Sequence, residues 1–245
     1  MMGRKFEKVS NRRAMFAYTK KASFIAKKIQ IAVKQGGANP DSNRQLGLVI
    51  REAQANDVPR DVVDRNIKKA SEPNTADFKE LTYEVFGAGG VGFIVNALSD
   101  NSNRAKLEVT TLVRKTKGCK MATSGSVAFQ FAKRGRVAVN TALTEEAMIE
   151  LAIEAGVDDA ELVAPDEGLD GERVHSVVLV APTALAAMQG ALQDAGHGCA
   201  GRLAMVPTAA LQVSDADLEL NLAAIDVLEE CGDVDSVEHN MQIPR

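Results

Sequence analysis

Up to about residue 70 the apolar side chains of this chain recur every three or four positions, whereas from Leu81 they alternate. That change of period governs what the chain can fold into. Between Thr19 and Gln35 the residues Ala22, Ile25, Ala26, Ile29, Ala32 and Val33 fall on one stripe at 100° per residue, and Lys20, Lys21, Lys27, Lys28 and Lys34 fall on the other side. The pattern predicts a helix that buries one face and presents five ammonium groups. Gly36 and Gly37 end it, and Asn39 to Ser42 supply a turn and an N-cap for a second helix over about Asn43 to Asn56. Pro59 opens a third helix, with Val62, Val63, Ile67 and Ala70 facing inward. Ser71 to Phe78 reads as a linker.

Beyond the linker, Leu81 to Phe86 and Gly92 to Leu98 read as strands, Asn103 to Thr116 as a helix and Ser126 to Phe131 as a strand. Next come a strand at Arg136 to Asn140, a helix at Glu145 to Ala155, a strand at Ala160 to Ala164 and a loop at Pro165 to Glu172. A strand at Val174 to Val180, a helix at Thr183 to Ala195 and a strand at Leu203 to Val206 complete the series. The order βαββαβ is that of a ferredoxin-like unit. The tail offers a short strand at Leu211 to Val213, a helix capped by Asp215 and ending near Cys231 and Gly232, and a last strand at Val234 to His239. Such a fragment is too small to bury a core alone, so it is expected to pack with the ββαβ run. The expected fold is α+β: a three-helix domain, then two α/β domains, the ferredoxin-like one inserted in the other. The expected boundaries are 1–75, 80–135 with 208–245, and 136–207.

At 245 residues, with 45% apolar and 25% charged side chains, the composition is that of a globular protein. No window approaches the length of apolar sequence that a membrane helix needs. Cys119, Cys199 and Cys231 are odd in number and widely spaced, which supports neither a disulfide framework nor a zinc site and fits a reducing compartment. The start has no apolar signal core, and its Lys/Arg-rich run, which resembles an organelle transit peptide, leads straight into a capped helical pattern, so it reads as mature protein. The location expected is the cytoplasm, or an organellar matrix if the source is eukaryotic.

The net charge of −4 conceals a strong polarity. Residues 1–71 carry 16 basic and 6 acidic side chains, residues 72–136 carry 10 and 6, and residues 137–245 carry 3 and 21. One end is built to meet a polyanion and the other to stay clear of it. Arg4, Lys5, Lys8, Arg12 and Arg13 precede the lysine-faced helix, so the first 35 residues hold 10 cations against Glu7 alone. Binding through such a segment weakens steeply with salt, because each neutralised phosphate releases roughly 0.9 counterion. Phe24 and Ile31 project among the lysines, with Phe6, Phe16 and Tyr18 nearby. They are candidates for stacking on bases, against the plainer reading that they pack the N-terminal arm onto the helix. A second basic patch gathers Arg104, at the start of its helix, with Lys106, Arg114, Lys115, Lys117 and Lys120. There Asn101 and Asn103 read first as turn and N-cap residues.

Catalytic signals are thin. Gly87 to Gly92 spells G-x-G-x-x-G, but Phe93, Ile94 and Val95 follow it. Those residues favour a strand, where a dinucleotide site needs a helix N-terminus, so a glycine-rich hairpin turn is expected. His175, His197 and His239 are scattered. The paired carboxylates Asp158-Asp159 and Glu229-Glu230 point to different sides, and Ser124-Gly125-Ser126 lacks a nucleophile-elbow frame. No catalytic residue, metal or cofactor is assigned.

Several stretches together resemble the YebC family, also called YebC/PmpR, which includes mitochondrial translational activators of cytochrome c oxidase subunit one. They are GGANPDSNRQLGLVIREAQANDVPRDVVDRNIKKA from Gly36, YEVFGAGGVGFIVNALSDNSNR from Tyr83, GSVAFQF from Gly125, ELAIEAGVDDAE from Glu150 and VEHN from Val237. The resemblance covers nearly the whole chain in order. It implies a helical domain and two α/β domains around a cleft, in a non-enzymatic regulator that binds DNA in transcription or associates with the ribosome in translation. The opening Met2-Gly3-Arg4-Lys5-Phe6 departs from the commoner start with Trp and is similar to the YeeN-like branch. Glu238 stands where many members carry an aromatic residue.

The expectation is therefore a nucleic-acid-binding regulator of gene expression, ribosome-associated in the first reading and DNA-binding in the second. A nucleotide-using enzyme built on Gly87 to Gly92 is the rival. The binding residues expected are Arg4, Lys5, Lys8, Arg12, Arg13, Lys20, Lys21, Lys27, Lys28, Lys34 and Arg104. The acidic βαββαβ domain is left to face a protein partner or to brace the cleft.

Overall fold

The computed structural model describes residues 3–73, 75–165 and 174–242, with side chains from Thr19 onward. The chain divides into two compact units, Met1–Lys79 and Glu80–Arg245.

In the first unit, helix α1 runs without a break over Gly3–Gly36, so the basic arm and the lysine-faced helix are one element about 50 Å long. Helix α2 spans Arg44–Ala55 and α3 spans Arg60–Ala70. Their inward faces meet in one core of Ile25, Ile29, Ala32, Val33, Leu46, Val49, Ala53, Val58, Val63 and Ala70. The cap of α2 falls at Asn43, one residue beyond the expected turn, because Asn43 joins two helices. Its Oδ1 accepts from the Leu46 N–H at 3.0 Å, and its Nδ2 donates to Ala32 O at 2.7 Å and to Gly37 O at 2.8 Å. A buried amide so fully bonded fixes the α1–α2 corner.

The second unit contains two four-stranded antiparallel sheets. The first is built from β1 (Lys79–Phe86), β2 (Gly92–Ser99), β3 (Lys120–Met121) and β8 (Val234–His239), in the order β3-β1-β2-β8. Helices α4 (Ser102–Lys115) and α7 (Asp215–Glu229) supply its core with Val109, Val113, Ala224 and Leu228, packed on Val85, Phe93, Val95 and Val237. The second sheet contains β4 (Phe131–Val139), β5 (Glu161–Val163), β6 (Ser176–Val180) and β7 (Cys199–Pro207), in the order β5-β6-β4-β7. Helices α5 (Glu145–Glu154) and α6 (Leu185–Asp194) pack on it through Met148, Ala152, Leu185, Met188 and Leu192. Its βαββαβ order and antiparallel pairing are ferredoxin-like. The last strand of the chain pairs with β2, from Phe93 opposite His239 to Ala97 opposite Val234.

Three expectations are corrected. Ser126 to Phe131 is not a strand: a 3₁₀ turn occupies Ala128–Gln130, and the strand starts at Phe131 and runs on into the second sheet. The cause is Glu84, whose carboxylate accepts the N–H groups of Gly125, Val127 and Ala128 at 2.5, 2.6 and 2.9 Å. Those groups are thereby lost to any ladder, and the short β3 pairs with β1 instead. Leu211 to Val213 is reduced to one parallel bridge between Leu211 and Met241. Ser214, not Asp215, caps α7, its Oγ accepting from the Asp217 N–H. The expected loop at Pro165 to Glu172 lies, from residue 166, outside the described residues.

Candidate nucleic-acid interface

Arg4, Lys5, Lys8, Arg12 and Arg13 belong to the backbone of α1, and their side chains lie outside the described residues, as do those of Phe6, Phe16 and Tyr18. The five lysines farther along are not equivalent. Lys21 is exposed and Lys20 half-buried. Lys27 Nζ sits 4.6 Å from the centre of the Phe24 ring and 5.6 Å from that of Phe78. Lys28 makes a 2.8 Å ion pair with Glu52 of α2, with one-fifth of each side chain exposed. Lys34 donates to Thr75 O at 2.8 Å and Ala76 O at 3.0 Å and lies 3.5 Å from Asp77.

The lysine side of α1 is thus partly covered by its own chain. Phe24 and Ile31, the candidates for base stacking, are 3% and 6% exposed, which removes them from contact with any base. Lys20, Lys27 and Lys34 recur every seven residues along this side, and the last two hold the Thr75 to Phe78 segment against it. A lysine stem packs on apolar surface as readily as it reaches water. That is why a run of cations read from sequence does not reveal how many stay open to a partner.

Arg104 has partners within the chain. Its Nη2 donates to Asp100 Oδ1 at 2.7 Å, Asp233 Oδ2 at 3.1 Å and Ser99 Oγ at 3.2 Å, while Ser99 Oγ donates to Asp233 at 2.7 Å. The hydrogen bonds it donates to Asp233, then to Asp100, push the guanidinium pKa further up. Asn101 caps α4 as its residue type suggested, Oδ1 accepting from the N–H groups of Asn103 and Arg104. Arg104 therefore fastens the start of α4 to the loop before β8. The rest of the second patch, Lys106, Arg114, Lys115, Lys117 and Lys120, is exposed. Pattern reading missed two further exposed groups. Lys68 and Lys69 close α3, and Phe129 is 73% exposed on the 128–130 turn, where alternation had suggested a strand.

The glycine-rich segment contains no helix that could receive a pyrophosphate. Gly89 and Gly90 adopt φ of 66° and 83° in the β1–β2 turn, and β2 starts at Gly92. Asn221 of α7, fully buried, closes the turn by accepting from Ala88 N–H at 2.8 Å and donating to Ala88 O at 3.1 Å. A Cβ at Gly87 would collide with Asn221 Oδ1 and with the Phe93 ring. The glycines serve turn geometry and close packing, and the nucleotide-enzyme reading built on them falls. Among the described residues no three His, Cys, Asp or Glu gather as metal ligands, and burial pushes up the thiol pKa of both Cys119 and Cys231. No helix among the described residues is long and apolar enough to cross a membrane.

The sequence matches the model of the TACO1/YebC protein N-terminal domain over residues 4–73 and that of the TACO1/YebC second and third domain over residues 78–241. The chain belongs to the TACO1/YebC family. A probable transcriptional regulatory protein of Chlamydia pneumoniae is 39% identical over 222 residues, covering 89% of each chain. One of Protochlamydia amoebophila is 36% identical over 225 residues, covering 91% of this chain and 87% of its own. The crystal structure of a conserved hypothetical protein of Aquifex aeolicus superposes with a TM-score of 0.79 at 28% identity, covering 93% of this chain and 91% of its own. Within this TACO1/YebC chain the closing VEHN motif is structural. Glu238, 3% exposed, accepts from Arg202 Nη1 at 2.9 Å and from the Met205 N–H at 2.8 Å, so the end strand of one sheet clips the free edge of the other. Asn240 accepts from the Gly92 N–H at 2.9 Å and donates to Gln130.

Proposed function

We propose that this TACO1/YebC chain is a non-enzymatic, nucleic-acid-binding regulator of gene expression that works in the cytoplasm on RNA in a ribosomal setting. The observation that carries the reading is α1: one unbroken helix, Gly3–Gly36, whose sequence holds ten Lys or Arg and a single Glu. A rod of that length spans several phosphates of a duplex or folded RNA, and counterion release supplies the affinity. Contacts with phosphate position a protein without reading sequence. No base-reading set is assigned.

The contacts are allotted to Arg4, Lys5, Lys8, Arg12, Arg13 and Lys21, with Lys68 and Lys69 as additions. Lys20, Lys27, Lys28, Lys34 and Arg104 are moved to structural roles because each is engaged within the chain. We divide the chain at 1–75, 80–135 with 208–245, and 136–207, the last being the acidic part that phosphate repels. DNA binding in transcription is the second reading, and the names of the Chlamydia and Protochlamydia relatives favour it.

The test replaces Arg12, Arg13 and Lys21 with Glu in the full chain. Each lost phosphate contact lowers the slope of log affinity against log salt by about 0.7 for single strands and 0.9 for duplex. The expected result is at least a tenfold loss of RNA association with an unchanged melting temperature, and unchanged association overturns the proposal. Crosslinking in cells followed by sequencing of attached RNA and DNA separates the two readings. Ribosomal RNA supports the first, and discrete promoter fragments support the second.

A further inference from the structure

The outer face of α5 brings two exposed isoleucines together with a dense run of carboxylates. Ile149 and Ile153, one turn apart, are 50% and 72% exposed. Beside them a groove of about 320 Å³ runs along Met148, Ala152, Gly156 and Val157. Gly156, at φ 65°, turns the chain sharply at the helix end, and Val157 N–H closes the turn on Ala152 O at 2.8 Å. Single exposed aliphatic residues are ordinary, whereas an adjacent pair lining a groove is an interaction feature.

Charge supplies the second observation. Between Glu145 and Glu161 the sequence has seven carboxylates and no Lys or Arg. Asp159 is engaged by Arg134 and by the Ala181 N–H, while Glu145, Glu146, Glu150 and Glu154 stand exposed on the helix that carries the isoleucines, Asp158 lines the groove, and Glu161 is exposed on β5. Glu145 and Glu146 suit the first turn of a helix. Glu154 in the last turn, with no basic residue there, opposes the helix dipole. Bare isoleucines and an unfavourable carboxylate at one place are local costs that an interface offsets.

We propose that this face docks a cationic, amphipathic protein segment, its apolar side chains in the groove and its Lys or Arg on the surrounding carboxylates. A phosphate polymer is repelled here, and a second copy presenting the same face brings like charges together. The proposal stands independently of the nucleic-acid reading, since it uses neither α1 nor any phosphate.

The test titrates the full chain with a synthetic helix that has one lysine face and one leucine face. Two controls accompany it: the same helix with Glu for Lys, and a lysine helix with Ser for Leu. Fluorescence anisotropy gives affinity. Only the lysine-leucine helix is expected to bind. Ile149→Ser with Ile153→Ser weakens it roughly tenfold or more. Glu150→Gln with Glu154→Gln weakens it and flattens its salt dependence. Circular dichroism confirms that both variants keep the parent melting temperature. Equal binding of all three helices, or binding untouched by either variant, overturns the proposal. If sedimentation shows a dimer that the isoleucine variant dissociates, the occupant is a second copy. If that variant instead loses RNA, the face belongs to nucleic acid. Either outcome overturns it as well.

Discussion

Helices α1 and α5 are both amphipathic, both strongly charged on one side, and both carry two large apolar residues on that side. On α1 the chain covers them: Phe24 and Ile31 are buried, Lys27 lies over Phe24 and Phe78, and Lys28 and Lys34 are bonded to other parts of the same unit. On α5 the isoleucines and the carboxylates face outward. A charged stripe interrupted by apolar residues is therefore an ambiguous instruction. Whether it becomes an interior contact or an open surface depends on another segment arriving there, and that segment can lie far away in sequence.

Truncating one apolar residue on each helix puts this contrast to its hardest test. Phe24→Ala is expected to destabilise the helical unit by about 3–5 kcal/mol, whereas Ile153→Ala changes stability by less than about 0.5 kcal/mol. Urea denaturation of the full chain, followed by a probe in each unit, reads both. Equal costs would show that the two faces are covered alike.

Glu84 provides an intermediate case, an acidic group treated as α1 treats its lysines. Burial raises its pKa, but the N–H groups of Gly125, Val127 and Ala128 outweigh burial and hold it below the ordinary 4.5. A carboxyl with a depressed folded pKa contributes stability that is fully present above its unfolded value and is lost as pH falls through the folded one. Glu84→Gln is expected to cost about 1 kcal/mol at neutral pH, since the site is partly open to water. The gap from the parent protein should stay constant down to about pH 5 and shrink below it. A gap independent of pH would mean that the carboxylate charge is not what holds the 125–128 turn.

A smaller effect is expected at Lys28. Removing it from its pair with Glu52 costs about 0.5–1 kcal/mol, and a double-mutant cycle with Glu52→Ala recovers most of that as coupling. The Lys21→Ala variant, whose ammonium is exposed, should be neutral in stability. A coupling near zero for Lys28 would return it to the set of cations available to a polyanion.

Much of the fold was legible because periodicity is a local property. The stripe from Ile25 to Val33, the inward faces of α2 and α3, and the βαββαβ order all follow from residues within reach of one another along the chain. The glycine turn was legible for the same reason: β-branched and aromatic residues after Gly92 do not start a helix. Element ends and the 126–131 segment were not legible. Alternation there was real, but Glu84, about forty residues upstream, had claimed the backbone donors.

The candidate interface divides along the same line. The order of residues alone dictates that cations crowd the first helix and carboxylates the stretch from residue 137 to 245, because net charge is a sum over residues and needs no geometry. It dictates also that the chain is a TACO1/YebC protein, since motif order is written along the chain. Folding in three dimensions was needed to bond Lys28, Lys34 and Arg104 to distant groups of their own chain, to bury Phe24 and Ile31, and to leave Ile149 and Ile153 outside. Salt bridges and burial join residues remote in sequence, such as Arg104 with Asp233 and Lys28 with Glu52, and no local pattern encodes which distant group will come within about 3 Å.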